Sequence, residues 1–377
     1  MQVPLLDLKA QFQSIREPVL RAVEENLASG QWVLGPAVSN LEAALAERLR
    51  VKQAVGVASG TDALLLALKA LKVGAGDEVI LPSFTFFATA GAVVNCGARP
   101  VLVEMEEASF NLDPRDLVRA ITPRTKAVIV VHLFGQSADL EAIRRVTEPR
   151  GIPIVEDAAQ AIGATYGDVP VGGIGALGCF SFYPTKNLGG AGDGGLVTSN
   201  DDSLAARVRL LRNHGMEPRY VHHEVGTNSR LDALQAVILR VKLEHLEAWT
   251  RARAERAARY TAAFSSVSAI LAPRDLGIGR HVWNQYTIRL SGELGATSEH
   301  RDALRAHLAE RGIGTEIYYP IPIHLQPCFR QLGYESGQFP ITERAAESCL
   351  SLPISPEMSS EQQDYVIATM GEWFRGR

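Results

Sequence analysis

Lys186 is set apart by its surroundings in the sequence. It is the only charged residue between Asp168 and Asp193, and a glycine-rich stretch, residues 189–192, follows it. Burial lowers the pKa of an ammonium group, and a neutral amine is a nucleophile. We therefore expect Lys186 to form a Schiff base with a carbonyl cofactor, for which pyridoxal phosphate (PLP) is the obvious candidate. The alternative is a surface lysine in a glycine-rich turn.

Asp157 and Gln160 follow a predicted strand at Pro153–Val155. Open α/β sheets bind ligands at the carboxyl ends of their strands. An aspartate at this position could keep a pyridinium nitrogen protonated, which makes the cofactor an electron sink. Gln160, one helical turn later, faces the same way and could contact a ring oxygen. In the alternative, Asp157 caps the start of a helix.

Residues 58–64 have the features of a phosphate site. A predicted strand ends there in small residues, and a helix starts at Thr61 or Asp62. The first turn of a helix presents unpaired backbone N–H groups and the positive end of the helix dipole, which bind anions. Thr61 adds a hydroxyl donor. The alternative is an ordinary strand-to-helix turn with Thr61 as the helix cap.

The stretch Ser83–Thr89 contains three phenylalanines after the next predicted strand. An aromatic ring at this place could stack on a flat cofactor ring. Packing in the core is the alternative for most of these phenylalanines.

Two glycine runs, residues 173–178 and 190–195, match G-x-G-x-x-G. A dinucleotide fingerprint must follow a strand and open a helix, whereas both runs lead into strand-like segments. We therefore reject nicotinamide binding. The histidines lack the spacing of metal ligands, and we expect no metal site.

The composition narrows the class of protein. The chain has 377 residues, of which 46% are hydrophobic and 21% charged, and this length suits a large domain plus a smaller one. A net charge of −4 without a basic block argues against nucleic acid as a partner. No apolar run reaches the roughly 18 residues of a membrane span, and the first residues lack the apolar core of a signal peptide. Four widely spaced cysteines indicate reduced thiols in a cytoplasmic protein.

Short apolar runs alternate with helical stretches between residues 54 and 155. This alternation predicts βαβ units and an α/β fold with a mostly parallel sheet flanked by helices. The predicted strands are Ala54–Ala58, Glu78–Leu81, Pro100–Val103, Ala127–Val131 and Pro153–Val155. The predicted helices are Asp62–Lys72, Thr85–Asn95, Pro114–Ile121 and Leu140–Glu148.

The pattern changes beyond residue 164. The elements predicted there are strands at Cys179–Tyr183, Leu196–Ser199, Tyr286–Leu290 and Gly314–Tyr318, and helices at Asp232–Phe264 and Ser298–Arg311. We therefore divide the chain into a large PLP-binding domain, residues 1–250, and a smaller C-terminal α+β domain, residues 251–377. We expect the N-terminal segment to pack on the small domain.

Taken together, these stretches resemble the DegT/StrS-type sugar aminotransferases, which are fold-type I PLP enzymes. The matching pieces occur in the family's order and spacing and cover essentially the whole chain. They are SGTDALLLAL (59–68), SFTFFATA (83–90), VHLFGQ (131–136), VEDAAQAIGA (155–164), FSFYPTKNLGGAGDGG (180–195), GTNSRLDALQA (226–236), PIHLQP (322–327) and LSLPISPEMSSEQQDYV (350–366).

The resemblance implies roles around the cofactor ring. Lys186 would carry the cofactor as a Schiff base and later move a proton between the substrate carbon and the cofactor. Asp157 would pair with the pyridine nitrogen, and Gln160 would meet the ring hydroxyl. Phe86 would stack on the ring.

The resemblance also implies how the phosphate is held. Gly60, Thr61, the Asp62 amide and Ser181 would surround it. Asn228 in such enzymes reaches the phosphate of the neighbouring subunit, so a homodimer with shared active sites is implied.

The substrates implied are an amino donor, usually L-glutamate, and a keto-sugar linked to a nucleotide. The stretch Asn228–Asp232 is similar to members that act on 3-keto sugars, including a uronic acid. Arg230 would contact a substrate carboxylate or phosphate, and a structural ion pair with Asp232 or another acid is its alternative.

Three further side chains, those of Tyr183, Tyr319 and His324, would approach the sugar by the same resemblance. Tyr319 and His324 could equally be structural residues of a proline-rich loop.

We therefore expect a PLP-dependent aminotransferase that acts on a nucleotide-linked keto-sugar in amino-sugar or surface-polysaccharide synthesis. A PLP-dependent sugar dehydratase has the same fold, but such relatives carry histidine in place of Lys186. A non-catalytic PLP-binding regulator would keep the cofactor pocket and lose substrate contacts such as Arg230 and His324.

Overall fold

A seven-stranded sheet organises the larger part of the molecule. The structure, a computed structural model, describes residues 1–291 and 297–375. Its strands are β1 (Gln53–Val57), β2 (Glu78–Pro82), β3 (Arg99–Val103), β4 (Thr125–Val131), β5 (Ile154–Asp157), β6 (Thr165–Tyr166), β7 (Val169–Pro170), β8 (Leu177–Ser181), β9 (Gly195–Ser199), β10 (Ile270–Leu271), β11 (Tyr286–Leu290) and β12 (Cys349–Leu352).

The order of strands in the large sheet is β1-β9-β8-β5-β4-β2-β3. β9 pairs antiparallel with β1 and β8, and the other neighbours pair in parallel. The predicted α/β fold with a mostly parallel, mixed sheet is therefore confirmed.

Helices flank this sheet and continue into the C-terminal part. They are α1 (Leu8–Ser14), α2 (Arg16–Ser29), α3 (Pro36–Leu49), α4 (Gly60–Ala70), α5 (Phe87–Asn95), α6 (Pro114–Ala120), α7 (Leu140–Thr147), α8 (Asp202–Leu211), α9 (Ala233–Phe264), α10 (Ser298–Glu310), α11 (Pro340–Ser348) and α12 (Ser360–Arg375). Among the described residues, no helix, the 32-residue α9 included, is long and apolar enough to cross a bilayer.

The central strands read as unbroken apolar runs because both of their faces are buried. In β2, Val79 and Leu81 belong to the core that includes Leu64 of α4, whereas Ile80 points to the core formed with Leu117 of α6 and Ile143 of α7. Successive side chains of a strand alternate between faces, so a single run serves two cores. Helices on both faces leave the carboxyl ends of the parallel strands free to build a site.

The C-terminal part has its own sheet, in the order β10-β11-β12 with antiparallel pairing. The predicted strand at Gly314–Tyr318 is wrong. That segment makes an isolated bridge between Glu316 and Ser351 instead of a continuous ladder, and Ile313 just before it bridges to Val3. β12, which was not predicted, is the strand that pairs with β11.

The N-terminal residues lie against the C-terminal part of the chain. Val3 donates to Gly312 O at 2.9 Å and accepts from Gly314 N at 2.8 Å. Its side chain is fully buried in the same core as Tyr286 of β11. The division near residue 250 falls inside α9, which runs without interruption from one part to the other.

Candidate active site

Lys186 lies in the loop after β8, beside a cavity of about 580 Å³. Its backbone N–H donates to Tyr183 O at 2.9 Å, which closes a tight turn around the intervening Pro184 and Thr185. Burial lowers the pKa of the Lys186 amine from 10.5 to about 8, and the charge of Asp157 opposes this shift only in part. Roughly a tenth of the amine is therefore neutral at pH 7, far more than for an ordinary lysine, and the neutral form is the nucleophile.

The cavity is formed by residues from many separate segments. Its lining comprises Ser59, Gly60, Thr61, Leu64, Thr85, Phe86, Ala88, Val131, Leu133, Asp157, Ala159, Gln160, Ser181, Tyr183, Thr185, Lys186, Asp193, Gly194, Asn284, Gln285, Tyr318 and Tyr319. Of the thirteen predicted site residues, Gly60, Thr61, Phe86, Asp157, Gln160, Ser181, Tyr183, Lys186 and Tyr319 are brought together here.

Asp157 is the last residue of β5 and is buried. Thr89 Oγ1 donates to its Oδ2 at 2.8 Å, and the Ala159 amide donates to Oδ1 at 3.3 Å. Burial raises the pKa of the Asp157 carboxyl, while these hydrogen bonds and the positive charge of Lys186 oppose that rise. An acid that burial makes hard to ionise gains most from a cationic partner, and a pyridinium nitrogen is such a partner.

Gln160 and Tyr319 form a polar wall next to Asp157. The Gln160 side chain accepts from Phe134 N at 2.8 Å and donates to Tyr319 Oη at 3.0 Å. Burial raises the pKa of the Tyr319 hydroxyl, which stays protonated and can donate onward. The Phe86 ring lies 6.0 Å from the Tyr319 ring and is 56% exposed, so one face is available for a planar ligand.

The start of α4 forms another part of the cavity. Ser59 caps the helix by accepting from Asp62 N at 3.0 Å, so the amide expected to hold the phosphate already has a partner. A Cβ on Gly60 would lie 2.7 Å from Ser181 Cβ, which is closer than two such atoms approach. The close contact between these two segments therefore requires glycine at position 60. Thr61 remains exposed to the cavity.

The side chains around this cavity fit PLP. An amine of lowered pKa suits its aldehyde, a buried carboxylate suits its ring nitrogen, and a glycine-floored helix start suits its phosphate. Lys186 would bind the aldehyde carbon of PLP, and Asp157 would pair with its ring nitrogen. Thr61 and Ser181 would bind its phosphate.

A buried ionisable pair lies beside the site. His132 Nε2 is 3.0 Å from Glu156 Oε2, and its Nδ1 accepts from Ala138 N at 3.1 Å, so Nε2 carries the proton. Burial works against the charge of Glu156, but His132 and the amides of the glycine run 172–175 lower its pKa below the ordinary value. Backbone amides of residues 172–175 therefore surround the Glu156 carboxylate. The glycine run 173–178 leads into β8 and the run 190–195 leads into β9, so each is followed by a strand, as predicted.

Four predicted residues lie outside the lining of this cavity as formed by residues 1–291 and 297–375. Asp62 is one, and Asn228 is exposed. Arg230 donates to Asn213 Oδ1 at 2.8 Å, and within the described part of the chain it makes no ion pair with Asp232. His324 is buried with both ring nitrogens engaged, Nδ1 with Ser83 at 2.7 Å and Nε2 with Glu343 at 3.1 Å, which favours its structural alternative.

Several lining residues were missed by sequence reasoning. Asn284 and Gln285 come from the segment before β11, and nothing in the local sequence links them to Lys186. Thr85 had a usable signal, because it lies in the stretch Ser83–Thr89 that was singled out for its phenylalanines. In the described ranges, no group of three or more His, Cys, Asp or Glu residues is placed to hold a metal ion.

Named proteins match this chain over nearly its whole length. A pleiotropic regulatory protein of Geobacillus stearothermophilus is 46% identical, covering 100% of this chain and 99% of the relative. The dTDP-3-amino-3,4,6-trideoxy-alpha-D-glucose transaminase of Streptomyces venezuelae is 44% identical, with 99% and 96% covered. The UDP-2-acetamido-2-deoxy-3-oxo-D-glucuronate aminotransferase of Pseudomonas aeruginosa is 39% identical, with 98% and 99% covered.

Solved structures show the same likeness. The crystal structure of S. venezuelae DesV in complex with a ketimine intermediate has a TM-score of 0.95 and 44% identity, covering 99% of this chain and 98% of that one. The structure of NtdA from Bacillus subtilis with bound cofactor PMP has a TM-score of 0.91 and 31% identity, with 99% and 85% covered. The profile of the DegT/DnrJ/EryC1/StrS aminotransferase family matches residues 13–371. The chain therefore belongs to the DegT/DnrJ/EryC1/StrS aminotransferase family and is a PLP-dependent aminotransferase.

Proposed function

We propose that this enzyme transfers an amino group from L-glutamate to the 3-keto group of a nucleotide-linked sugar, which yields a 3-amino sugar. The observation that carries the proposal is that Lys186 and Asp157 line the same cavity. Two relatives that are 44% and 39% identical to this chain are named for 3-amino or 3-oxo sugar nucleotides. These names include both dTDP and UDP sugars, so the proposal covers either nucleotide.

Each polar residue of the cavity has a defined task in this proposal. PLP supplies an electron sink when bound. Asp157 holds a proton at the ring nitrogen, and Gln160 orients the ring through its hydroxyl. Lys186 Nζ, neutral once it has released the cofactor, takes a proton from the substrate carbon and returns it a short distance away. Tyr319, next to Gln160, bounds the space left for the sugar.

The size of the cavity suits a substrate that is bound partly inside it and partly at its mouth. A volume of about 580 Å³ is within the range of ligand pockets, and in this proposal it holds the cofactor together with the hexose ring. The nucleotide would then lie at the mouth of the cavity, where the aromatic side chain of Tyr183 is more than half exposed.

A second copy of the chain would complete the site. Within the described residues of one chain, Lys186 is the only lysine or arginine that lines the cavity, yet the phosphate and both substrates carry negative charge. Asn228, exposed, and the nearby Arg230 suit a role in the neighbouring site. We therefore include a homodimer in the proposal.

We also place the reaction in the cytoplasm. Cys96, Cys179, Cys328 and Cys349 occur as free thiols, as expected in a reducing compartment.

The test is to run the two half-reactions separately. L-Glutamate alone, added to the PLP-loaded enzyme, should bleach the visible band of the cofactor and release one 2-oxoglutarate per chain. A 3-keto sugar nucleotide, added next, should restore the band, whereas the matched 4-keto sugar nucleotide should not. Lys186→Ala should fail in both steps, and Lys126→Ala, a change of an exposed lysine, should behave as wild type.

Each failure has a separate meaning. No bleaching with any amino acid would overturn the aminotransfer proposal for this chain and favour a regulator. Bleaching by glutamate with restoration only by 4-keto sugars would overturn the assignment to the 3-position alone.

A further inference from the structure

Two threonine hydroxyls form a buried chain that ends on the Asp157 carboxylate. Thr89 Oγ1 lies 2.8 Å from Asp157 Oδ2, and Thr85 Oγ1 lies 3.0 Å from Thr89 Oγ1. All three side chains are buried. Thr85 and Asp157 line the cavity, whereas Thr89 stands behind them in the first turn of α5.

The charge of Asp157 decides which hydroxyl is the donor in each of these two hydrogen bonds. An ionised carboxylate only accepts hydrogen bonds, so Thr89 must donate to Oδ2. The single hydroxyl proton of Thr89 is then used, and Thr85 must donate to Thr89. Hydrogen bonds that run in one direction polarise each other, which holds both hydroxyls in one orientation.

The second carboxylate oxygen is less occupied. Oδ1 accepts from the Ala159 amide at 3.3 Å, longer than the usual 2.9–3.0 Å or so for such a bond. The two oxygens of Asp157 are thus unequal. Oδ2 accepts a short hydrogen bond from Thr89, whereas Oδ1 accepts only a long one and can accept another from a strong donor.

We propose that Thr89, supported by Thr85, is a positioning residue that engages Oδ2 and thereby reserves Oδ1 for the ring nitrogen of PLP. This inference rests on the proposed role of Asp157. A buried carboxylate without donors becomes neutral, and a neutral acid attracts a pyridinium only weakly. The threonine pair acts against neutralisation without adding a charge of its own.

The test measures cofactor binding to the apoprotein. Thr89→Val keeps the shape of the side chain and removes the hydroxyl, and it should weaken PLP binding about tenfold, the size expected for a hydrogen bond to a charged group. Thr89→Ser restores a hydroxyl and should bind within about twofold of wild type, while Thr85→Val should cost about two- to threefold because it acts one bond further away. The visible band of the loaded Thr89→Val protein should also shift in position, whereas that of Thr89→Ser should not.

Thr147→Val is the matched control. Thr147 is equally buried and donates to Ile143 O at 3.2 Å in α7, so its loss perturbs a core threonine outside the cavity lining. PLP affinity should be unchanged in this variant, and melting of each apoprotein shows whether the variants are folded.

Asp157→Asn separates the two proposals. If this variant binds PLP as wild type does, the role of Asp157 fails. If it loses affinity while Thr89→Val binds PLP with wild-type affinity and spectrum, the inference about Thr89 is overturned and the role of Asp157 stands. Should Thr89→Val not fold, the ratio between Thr85→Val and wild type decides, and equal affinities would overturn the inference.

Discussion

The side-chain amide of Asn284 donates a 2.8 Å hydrogen bond to the side-chain oxygen of Asn187, the neighbour of Lys186 in the sequence. Asn187 in turn donates to Val282 O at 2.9 Å, and both asparagines are buried. The loop that carries the reactive amine is thereby tied to the segment that precedes β11. The position of Lys186 thus depends on the C-terminal part of the chain as well as on the large sheet.

Asn187→Ala should loosen this loop. It leaves Val282 O and the Asn284 amide without their partners, which should lower the free energy of unfolding by about 1–3 kcal/mol. Because Lys186 is then held less firmly, kcat should fall more than KM for glutamate rises. Denaturant unfolding and steady-state kinetics measure the two effects, with exposed Asn40→Ala as the control. Unaltered stability and kcat would show that the tie to Asn284 is dispensable.

Capture of PLP by the apoenzyme should depend on the ionisation of Lys186. Its pKa of about 8 means that the rate should rise with pH through a midpoint near that value and level off about one pH unit above it, because the neutral amine attacks the aldehyde. A free lysine side chain, with its ordinary pKa of 10.5, should show the same rise at higher pH and serves as the reference. Stopped-flow absorbance measures both.

Asp157→Asn sharpens the same experiment. The negative charge of Asp157 raises the pKa of Lys186 against the effect of burial, so its removal should move the midpoint to lower pH. A midpoint that moves upward or stays in place would contradict the electrostatic coupling between these two residues.

His324→Leu should affect stability and leave sugar binding alone. Both ring nitrogens have protein partners, Ser83 and Glu343, and their loss should cost about 1–3 kcal/mol. KM for the keto-sugar should stay within about twofold, since His324 does not line the cavity as described. Tyr319→Phe, a change at the cavity wall, should alter the kinetics instead. A large rise in KM for His324→Leu at normal stability would return this histidine to the sugar site.

Mixing two inactive variants should restore activity if Asn228 serves the site of a second copy. Lys186→Ala and Asn228→Ala impair different parts of each shared site. In a mixed dimer, one site receives both lesions and the other receives neither, so random exchange should recover about a quarter of wild-type activity. The measurement is activity after the variants are denatured and refolded together.

Two outcomes would count against sharing. If the mixture is no more active than the separate variants, Asn228 acts in its own chain or in neither. Sedimentation of the wild-type protein as a monomer at assay concentration would exclude the homodimer directly.

The large sheet was predictable from sequence because each central strand is buried on both faces. β2 and β4 contain the apolar runs Val79–Leu81 and Ala127–Val131, with predicted helices between them, which is typical of strands in a parallel sheet. In the small sheet, β11 was predicted with its observed bounds. β12 was not, because it is four residues long and its pairing with β11 is set by the tertiary fold. The expected strand at 314–318 has a suitable composition but makes an isolated bridge instead of a continuous ladder.

At the site, the residues with distinctive chemistry were predictable and their supports were not. Lys186 and Asp157 stand out because a lone lysine and an acid at a strand end are unusual in buried surroundings. Asn284 and Gln285 have no such mark and reach the cavity only through the packing of the segment before β11. For His324 the sequence left a sugar-binding and a structural role open, because it cannot show that Ser83 and Glu343 lie against the ring.

Helix α9 has a practical meaning for anyone who wishes to study the parts of this enzyme separately. Its first half packs Leu239 and Leu246 against the large sheet's core, and its second half buries Tyr260 and Phe264 in the other core. A fragment that stops at residue 250 would end in a severed helix and would lack Tyr260 and Phe264, which share a core with its own Phe84 and Phe110. Residues 1–250 and 251–377 should therefore not fold as separate proteins, because each piece would expose core residues that the other covers.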